Sequence, residues 1–409
     1  MRLHCKRYVV QEMRKHLIPN YLINKNKMKK TKFLAIYFMA TVCSLGLAAC
    51  SNDDDEDGNS LGIPSDELAE DNPTISSTTT YVPNPSYTVE LIGNDAVVTL
   101  DMTGVQDVAT YDWLRLIGTA NSGQNIWISV DGQPKGITVT NNADEDANKK
   151  KAADLVFLVD NSGSMGEEAD AIARDIISWS KTLEASNLDM RFACVGYDGL
   201  INGAINLTDA DSLSKYLNRH TGIGRTMGFY GTDKNALSNA ASPYDLYSQY
   251  ECGGAALRYA DANISFRTGS NRIYVNFTDE PNQPRNISDY SVEYFKDQSN
   301  WEAGRGTVHT VFSADSTYYW ETLYSERPWR ISEYTGGTVI FAPSDFSGVT
   351  LESLPVTGAM QNSYTIRFTN VKEFMDGQQH EVKITILSTD GKTRAEKIFY
   401  IVFDTSSNL

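Results

Sequence analysis

Histidine and cysteine are scarce in this chain, and the few present are poorly placed for chemistry. Five histidines occur in 409 residues; His4 and His16 lie near the start, while His220, His309 and His380 are scattered. No His-Glu-x-x-His pair, nucleophile elbow or phosphate-binding glycine loop is found. The five cysteines show no zinc-type spacing. Positive charge is also short, with 36 Lys and Arg against 52 Asp and Glu, a net of −16. The first 49 residues hold ten of those basic residues and one acidic residue, which leaves −25 on the rest. Such a surface repels phosphate backbones and disfavours nucleic acid as a partner. It suits an exported protein that must stay soluble and collect divalent cations. The apolar stretch at 33–47 is too short for a comfortable membrane span.

What is present begins with that stretch. A basic segment, Met28-Lys29-Lys30-Thr31-Lys32, precedes it, and Leu47-Ala48-Ala49-Cys50 closes it. The order resembles a bacterial lipoprotein signal. The resemblance implies that residues 1–49 are removed and that Cys50 is lipidated, with 1–27 upstream of a better start at Met28. The acidic run 51–57 resembles the surface-export signal of Bacteroidetes lipoproteins; taken alone it is a solvated tether. The expected location is the outer membrane, facing outwards, with membrane contact through the lipid only. Cys5 and Cys43 fall in the leader. Cys194 and Cys252 remain and are expected as free thiols, although export permits a disulfide.

Residues 50–86 are rich in Asp, Ser, Thr, Pro and Asn and read as a linker. From 87 to 148 the pattern is strand-like, with candidate strands at 88–92, 96–100, 113–117, 126–130 and 137–140 and turns at Gly93-Asn94 and Asp131-Gly132. The period then changes. The run 155–159 is continuously apolar, as in a strand covered on both faces. Ala169, Ile172, Ala173, Ile176, Ile177 and Leu183 recur at helical spacing. Strands at 191–197 and 201–207 flank Asp198-Gly199 as a hairpin. A helix at 211–217, a polar loop at 218–250 and a helix at 254–262 follow. Further strands fall at 272–277, 307–312 and 338–341. This alternation over 152–345 predicts an α/β fold with a doubly wound, mostly parallel sheet. Period-two alternation returns over 346–409, at 364–369, 381–387 and 397–403. The two β-rich flanks either join as one sandwich carrying the α/β unit as an insertion, or form two small domains.

The chemistry concentrates in Asp160-Asn161-Ser162-Gly163-Ser164, placed directly after the buried run and before a helix. Ligand sites in open α/β sheets form at the carboxyl ends of strands. One carboxylate and two hydroxyls on a tight turn suit a hard cation such as Mg²⁺, at about 2.0–2.1 Å with water completing the shell. Mn²⁺ and Ca²⁺ suit the same oxygen donors. The Asp-x-Ser-x-Ser pattern after an apolar strand resembles von Willebrand factor A-type domains with a metal-ion-dependent adhesion site. The likeness covers about 152–345 and extends to Ile273–Thr278-Asp279 and to Tyr334-Thr335-Gly336-Gly337. It implies metal ligation by Asp160, Ser162 and Ser164, with Asp279 acting directly or through water. For the remaining loop, Glu251-Cys252-Gly253-Gly254-Ala255-Ala256-Leu257 resembles the A-type domains of integrin β chains, where Glu replaces Thr; Thr232 is the rival. Glu167 and Glu168 stand where integrin β domains place acids for a second cation, but their preferred reading is favourable charge in a first helical turn.

The resemblance implies a binding module and not an enzyme: a surface adhesin or fibre component whose cation is shared with an Asp or Glu carboxylate of a protein partner. A scaffold with a purely structural metal is the first alternative. A hydrolase using metal-bound water is the second, for which Glu251 is the sole general base in view.

Overall fold

The computed structural model describes residues 61–108, 110–144, 152–186, 188–246, 250–313 and 325–405, all within one compact unit, Asn59–Leu409. The leader, Cys50, the acidic run and the segment 145–151 lie outside the described residues. Among the described residues no helix is long and apolar enough to cross a membrane.

The first flank supplies β1 (Ser86–Ile92), β2 (Asp95–Met102), β3 (Ile126–Val130), β4 (Gln133–Pro134) and β5 (Ile137–Asn141). The α/β segment runs β6 (Ala152–Asp160), α1 (Ala169–Ala185), β7 (Asp189–Tyr197), β8 (Ile201–Thr208), α2 (Ala210–Leu217), β9 (Gly228–Tyr230), α3 (Lys234–Asn239) and α4 (Gly253–Asn263). It continues with β10 (Asn271–Thr278), α5 (Val292–Lys296), β11 (Thr307–Phe312), α6 (Arg330–Thr335), β12 (Val339–Phe341) and α7 (Val356–Gln361). The last flank adds β13 (Tyr364–Phe368), β14 (His380–Leu387) and β15 (Arg394–Ile401).

The seven-stranded sheet has the order β12-β11-β10-β6-β7-β8-β9. It is parallel except where β7 meets β8. β6 lies at its centre, and its apolar run divides between two faces by the strand's period of two. Leu155, Phe157 and Val159 pack with Ile172, Ile176 and Trp179 of α1 and Leu213 of α2. Val156 and Leu158 pack with Leu257 of α4 and Phe295 of α5. The doubly wound α/β fold expected from the sequence is therefore present.

The flanks interleave. One antiparallel sheet is β1-β2-β13-β5 and the other is β15-β14-β3-β4, and their inner faces share one core containing Val98, Leu100, Ile366, Ile128, Ile384 and Phe399. β13 sits between two strands from the first flank, with Tyr364 opposite Asn141. The chain thus leaves the sandwich at the end of β5 and returns beside that point, which is the geometry that tolerates an inserted domain.

Three expectations are corrected. The stretch 113–117 is no strand; Trp113 forms only an isolated bridge to Gln106, because its neighbours' polar groups are taken by Asn125 and Asn141 side chains. The polar loop 218–250 holds β9 and α3. The Ser/Thr-rich stretch from 61 to 83, read as linker, is anchored to the sandwich. Asp66 pairs with Lys135 at 3.1 Å, Asn72 bonds the Thr385 hydroxyl at 3.0 Å, and Ile63 and Val82 are buried. Polar hydrogen bonding holds it where apolar content is low.

Candidate metal centre

The parallel register brings three strand ends to one edge. Phe277 lies opposite Val159, and Thr278 opposite Phe312, so Asp160, Thr278 and Ser313 follow side by side. Asp160 is buried. Its Oδ1 accepts the Ser162 N–H at 2.9 Å and its Oδ2 accepts the Thr278 hydroxyl at 2.8 Å. Both oxygens are therefore oriented before any ligand arrives. The Ser162 and Ser164 hydroxyls are 3.0 Å apart, and Ser164 donates to Asp279 Oδ1 at 3.0 Å. Four of the expected ligand residues are thus joined by direct hydrogen bonds.

Glu251 enters from the loop before α4. Its N–H donates to Gln283 Oε1 at 3.0 Å and its carbonyl accepts the Gln283 N–H at 2.9 Å, which ties it to the chain following β10. Burial pushes its carboxyl up to about 8, helped by repulsion from Asp160, Glu280 and Asp279, while a hydrogen bond from Ser162 opposes the rise. Glu251 therefore belongs to the same cluster. Its rival Thr232 lies on an exposed turn before α3.

The other carboxyls shift the same way. Burial pushes Asp160 up to about 7 and raises Asp279 and Glu280. Glu168 rises to about 7 through burial, with Asp279 and Glu167 adding repulsion. Glu168 stands at the N-cap of α1 but makes no capping hydrogen bond, and its buried Oε1 lacks a partner, as does the nearby Ser313 hydroxyl. Glu167 is exposed. Two acids elsewhere in this domain whose side chains are buried are paired: Asp154 with Arg267 at 2.7 Å, and Asp261 with Arg305. Among the described residues the acids of this cluster have no such cation.

A donor set of buried, oriented, mutually repelling carboxyls with two hydroxyls and no counter-charge fits a hard divalent cation. Among the described residues no three Asp, Glu, His or Cys side chains are gathered as a metal site by themselves. The serine hydroxyls are accordingly needed to complete the set.

Several supporting residues escaped the sequence reading. Thr278, noted there only as the neighbour of Asp279, orients Asp160; its signal was its place at a strand end. Asn161 bonds reciprocally with Asn202, both contacts at 2.7 Å, and reaches Thr226 Oγ1 at 3.0 Å. These bonds fasten the Asp160–Ser164 turn to β8 and to the loop before β9, and no sequence pattern announces them. The aromatic run Tyr318-Tyr319-Trp320 lies outside the described residues. Trp329 is buried edge-on against Phe312 and Phe341 at centroid distances of 5.0 and 5.2 Å. Cys194 and Cys252 are both buried free thiols, as expected.

No protein-family model matches the chain, and no curated protein matches it. Solved structures do. An aerotolerance-related membrane protein from Bacteroides fragilis is 16% identical, with a TM-score of 0.30, over 48% of this chain and 94% of its own. A von Willebrand factor type A protein from Catenulispora acidiphila is 12% identical, with a TM-score of 0.32, over 81% of this chain and 78% of its own. Proximal thread matrix protein 1 from the mussel byssus, described with a zinc-occupied MIDAS motif, is 12% identical, with a TM-score of 0.34, over 56% of this chain and 49% of its own. The candidate centre rests on its own geometry.

Proposed function

We propose that this chain is a surface-anchored adhesion module, or a component of a surface fibre, that holds a divalent cation on the Asp160 turn and offers it to a partner protein's carboxylate. One observation carries this reading: buried carboxyls and two serine hydroxyls meet at the end of the central strand without, among the described residues, a positive side chain to neutralise them. Asp160, Ser162 and Ser164 would hold the ion, with Asp279 and Glu251 beside it. When bound, the cation supplies a Lewis-acidic site for an outside oxygen. Thr278 keeps Asp160 turned towards the cluster, and Asn161 keeps the turn in place. Glu168, with the Ser313 hydroxyl, is the stronger half of a second cation position; exposed Glu167 is the weaker. Mg²⁺, Mn²⁺ and Ca²⁺ all suit these oxygen donors. Lipidation at Cys50 would leave the module tethered to the outer membrane, and the acidic surface disfavours nucleic acid.

The test pairs stability with capture. Wild type and Asp160→Ala are exposed to neighbouring cell surfaces with Mg²⁺ or with chelator, and melting is followed in parallel. The expected result is cation-dependent capture by wild type only. If chelation lowers the melting temperature but leaves capture unchanged, the metal is structural and the adhesion reading is wrong.

A further inference from the structure

The opposite edge of the seven-stranded sheet carries a second feature with a different chemistry. Where the 80–83 segment, the loop after β2 and the start of β11 meet, a cavity of about 130 Å³ opens. Among the described residues none of its lining side chains is charged, in a protein otherwise dense with acids. Two aromatics line it, Trp113 and Tyr81, the latter 57% exposed at the rim. Trp113 is seated by backbone: a Cβ at Gly104 would lie 2.8 Å from the indole, and one at Gly358 only 2.5 Å. Both positions must therefore stay glycine for the ring to occupy this place.

The polar lining is neutral and mixed. It includes the Thr103 and Thr338 hydroxyls and the Gln106 amide. His309 is 7% exposed, and its Nδ1 accepts the Thr338 N–H at 3.0 Å. The ring proton therefore sits on Nε2, and among the described residues that N–H has no acceptor. Burial holds the imidazole neutral, lowering it to about 4. An apolar occupant would cover that N–H without supplying an acceptor, at a cost of about 1–3 kcal/mol, and is disfavoured. The lack of charge equally disfavours an ionic one. Water suits so polar a space, and the hydroxyls of a ring ligand can take over such positions.

We propose that this junction binds one neutral sugar ring, with its C–H face on Trp113 or Tyr81 and its hydroxyls bonded to His309 Nε2–H, Gln106 and the threonines. The inference is independent of the metal reading, because the cavity lies at the other end of the strands.

The experiment uses the full chain in EDTA, with glucose, galactose and N-acetylglucosamine as probes and glucuronate as the charged control, followed by saturation-transfer NMR and calorimetry. At least one neutral sugar is expected to bind in the millimolar range, unaffected by chelation, and glucuronate to bind more weakly. Tyr81→Ala, at an exposed position that folding does not need, should weaken binding by about tenfold, the loss of one aromatic contact. Trp113→Phe should also weaken it while preserving the fold, as checked by circular dichroism. The proposal is overturned if none of the three neutral sugars binds, leaving a water-filled cleft. It is equally overturned if Tyr81→Ala and Trp113→Phe both bind as wild type, or if EDTA abolishes binding and so places the sugar at the metal.

Discussion

Replacing Asp160 with Asn should stabilise the metal-free protein at alkaline pH and abolish its response to metal. Without a cation, burial lifts the Asp160 carboxyl from 3.8 to about 7. A carboxyl raised on folding binds more protons folded than unfolded, so stability is greatest below about pH 4 for this group and falls as pH rises towards 7. At about 1.4 kcal/mol per pKa unit, the cost at pH 8 reaches roughly 4 kcal/mol as an upper figure. The amide removes that cost without leaving orphans. Its Oδ1 can still accept the Ser162 N–H, and its Nδ2 can donate to Thr278 Oγ1, which already lies 3.3 Å from the Glu280 carbonyl and can donate there. The assay is denaturant unfolding of wild type and Asp160→Asn at pH 5 and pH 8, with EDTA or Mg²⁺. In EDTA, the Asp160→Asn variant should be the more stable at pH 8, by about 2–4 kcal/mol, with the gap closing at pH 5. Mg²⁺ at about a hundred times its Kd should add roughly 2.7 kcal/mol to wild type and nothing to the variant. Equal stabilisation of both proteins by Mg²⁺, or a pH-independent loss in Asp160→Asn, would refute the reasoning.

Because Glu251 and Asp160 must lose protons to bind a cation, Mg²⁺ affinity should rise between pH 6 and 8 with proton release, measured by calorimetry in buffers of differing ionisation enthalpy; Glu251→Gln should flatten that dependence. Thr278→Val removes the hydroxyl that orients Asp160 Oδ2 and should weaken Mg²⁺ binding by about tenfold or more while leaving the circular dichroism unchanged. Trp179→Ala empties a fully buried site where α1 packs against Phe157 and should cost about 3–5 kcal/mol in unfolding titrations. His309 is buried neutral, so its share of stability is present above its unfolded value near 6.5 and is lost as pH falls towards 4. His309→Asn should lessen acid unfolding in that window.

The α/β layer and the serine-rich turn at the end of its central strand were legible in the sequence because both depend on short-range pattern. The apolar run 155–159 had to be a strand covered on both faces, and Asp160, Ser162 and Ser164 follow it on a turn whose geometry is local. The helix at 169–183 was legible from its period, and the hairpin at 191–207 from Asp198-Gly199. The strand at 113–117 misled, since its alternation is satisfied by asparagine side chains and not by a neighbouring strand.

Other features depend on residues far apart in the chain. That β13 inserts between β2 and β5 is settled by pairing Tyr364 with Asn141 across the whole inserted domain, which no local pattern encodes. The Thr278 hydroxyl reaches Asp160 only because parallel register sets their strands level. The unneutralised charge of the cluster emerges only when burial and mutual approach act together on Glu251, Asp279 and Glu168. Local chemistry and periodicity in the sequence determined which oxygen-bearing side chains are candidates for a cation; the tertiary fold decided which of them meet, how deeply they are buried, and so how strongly their charges repel.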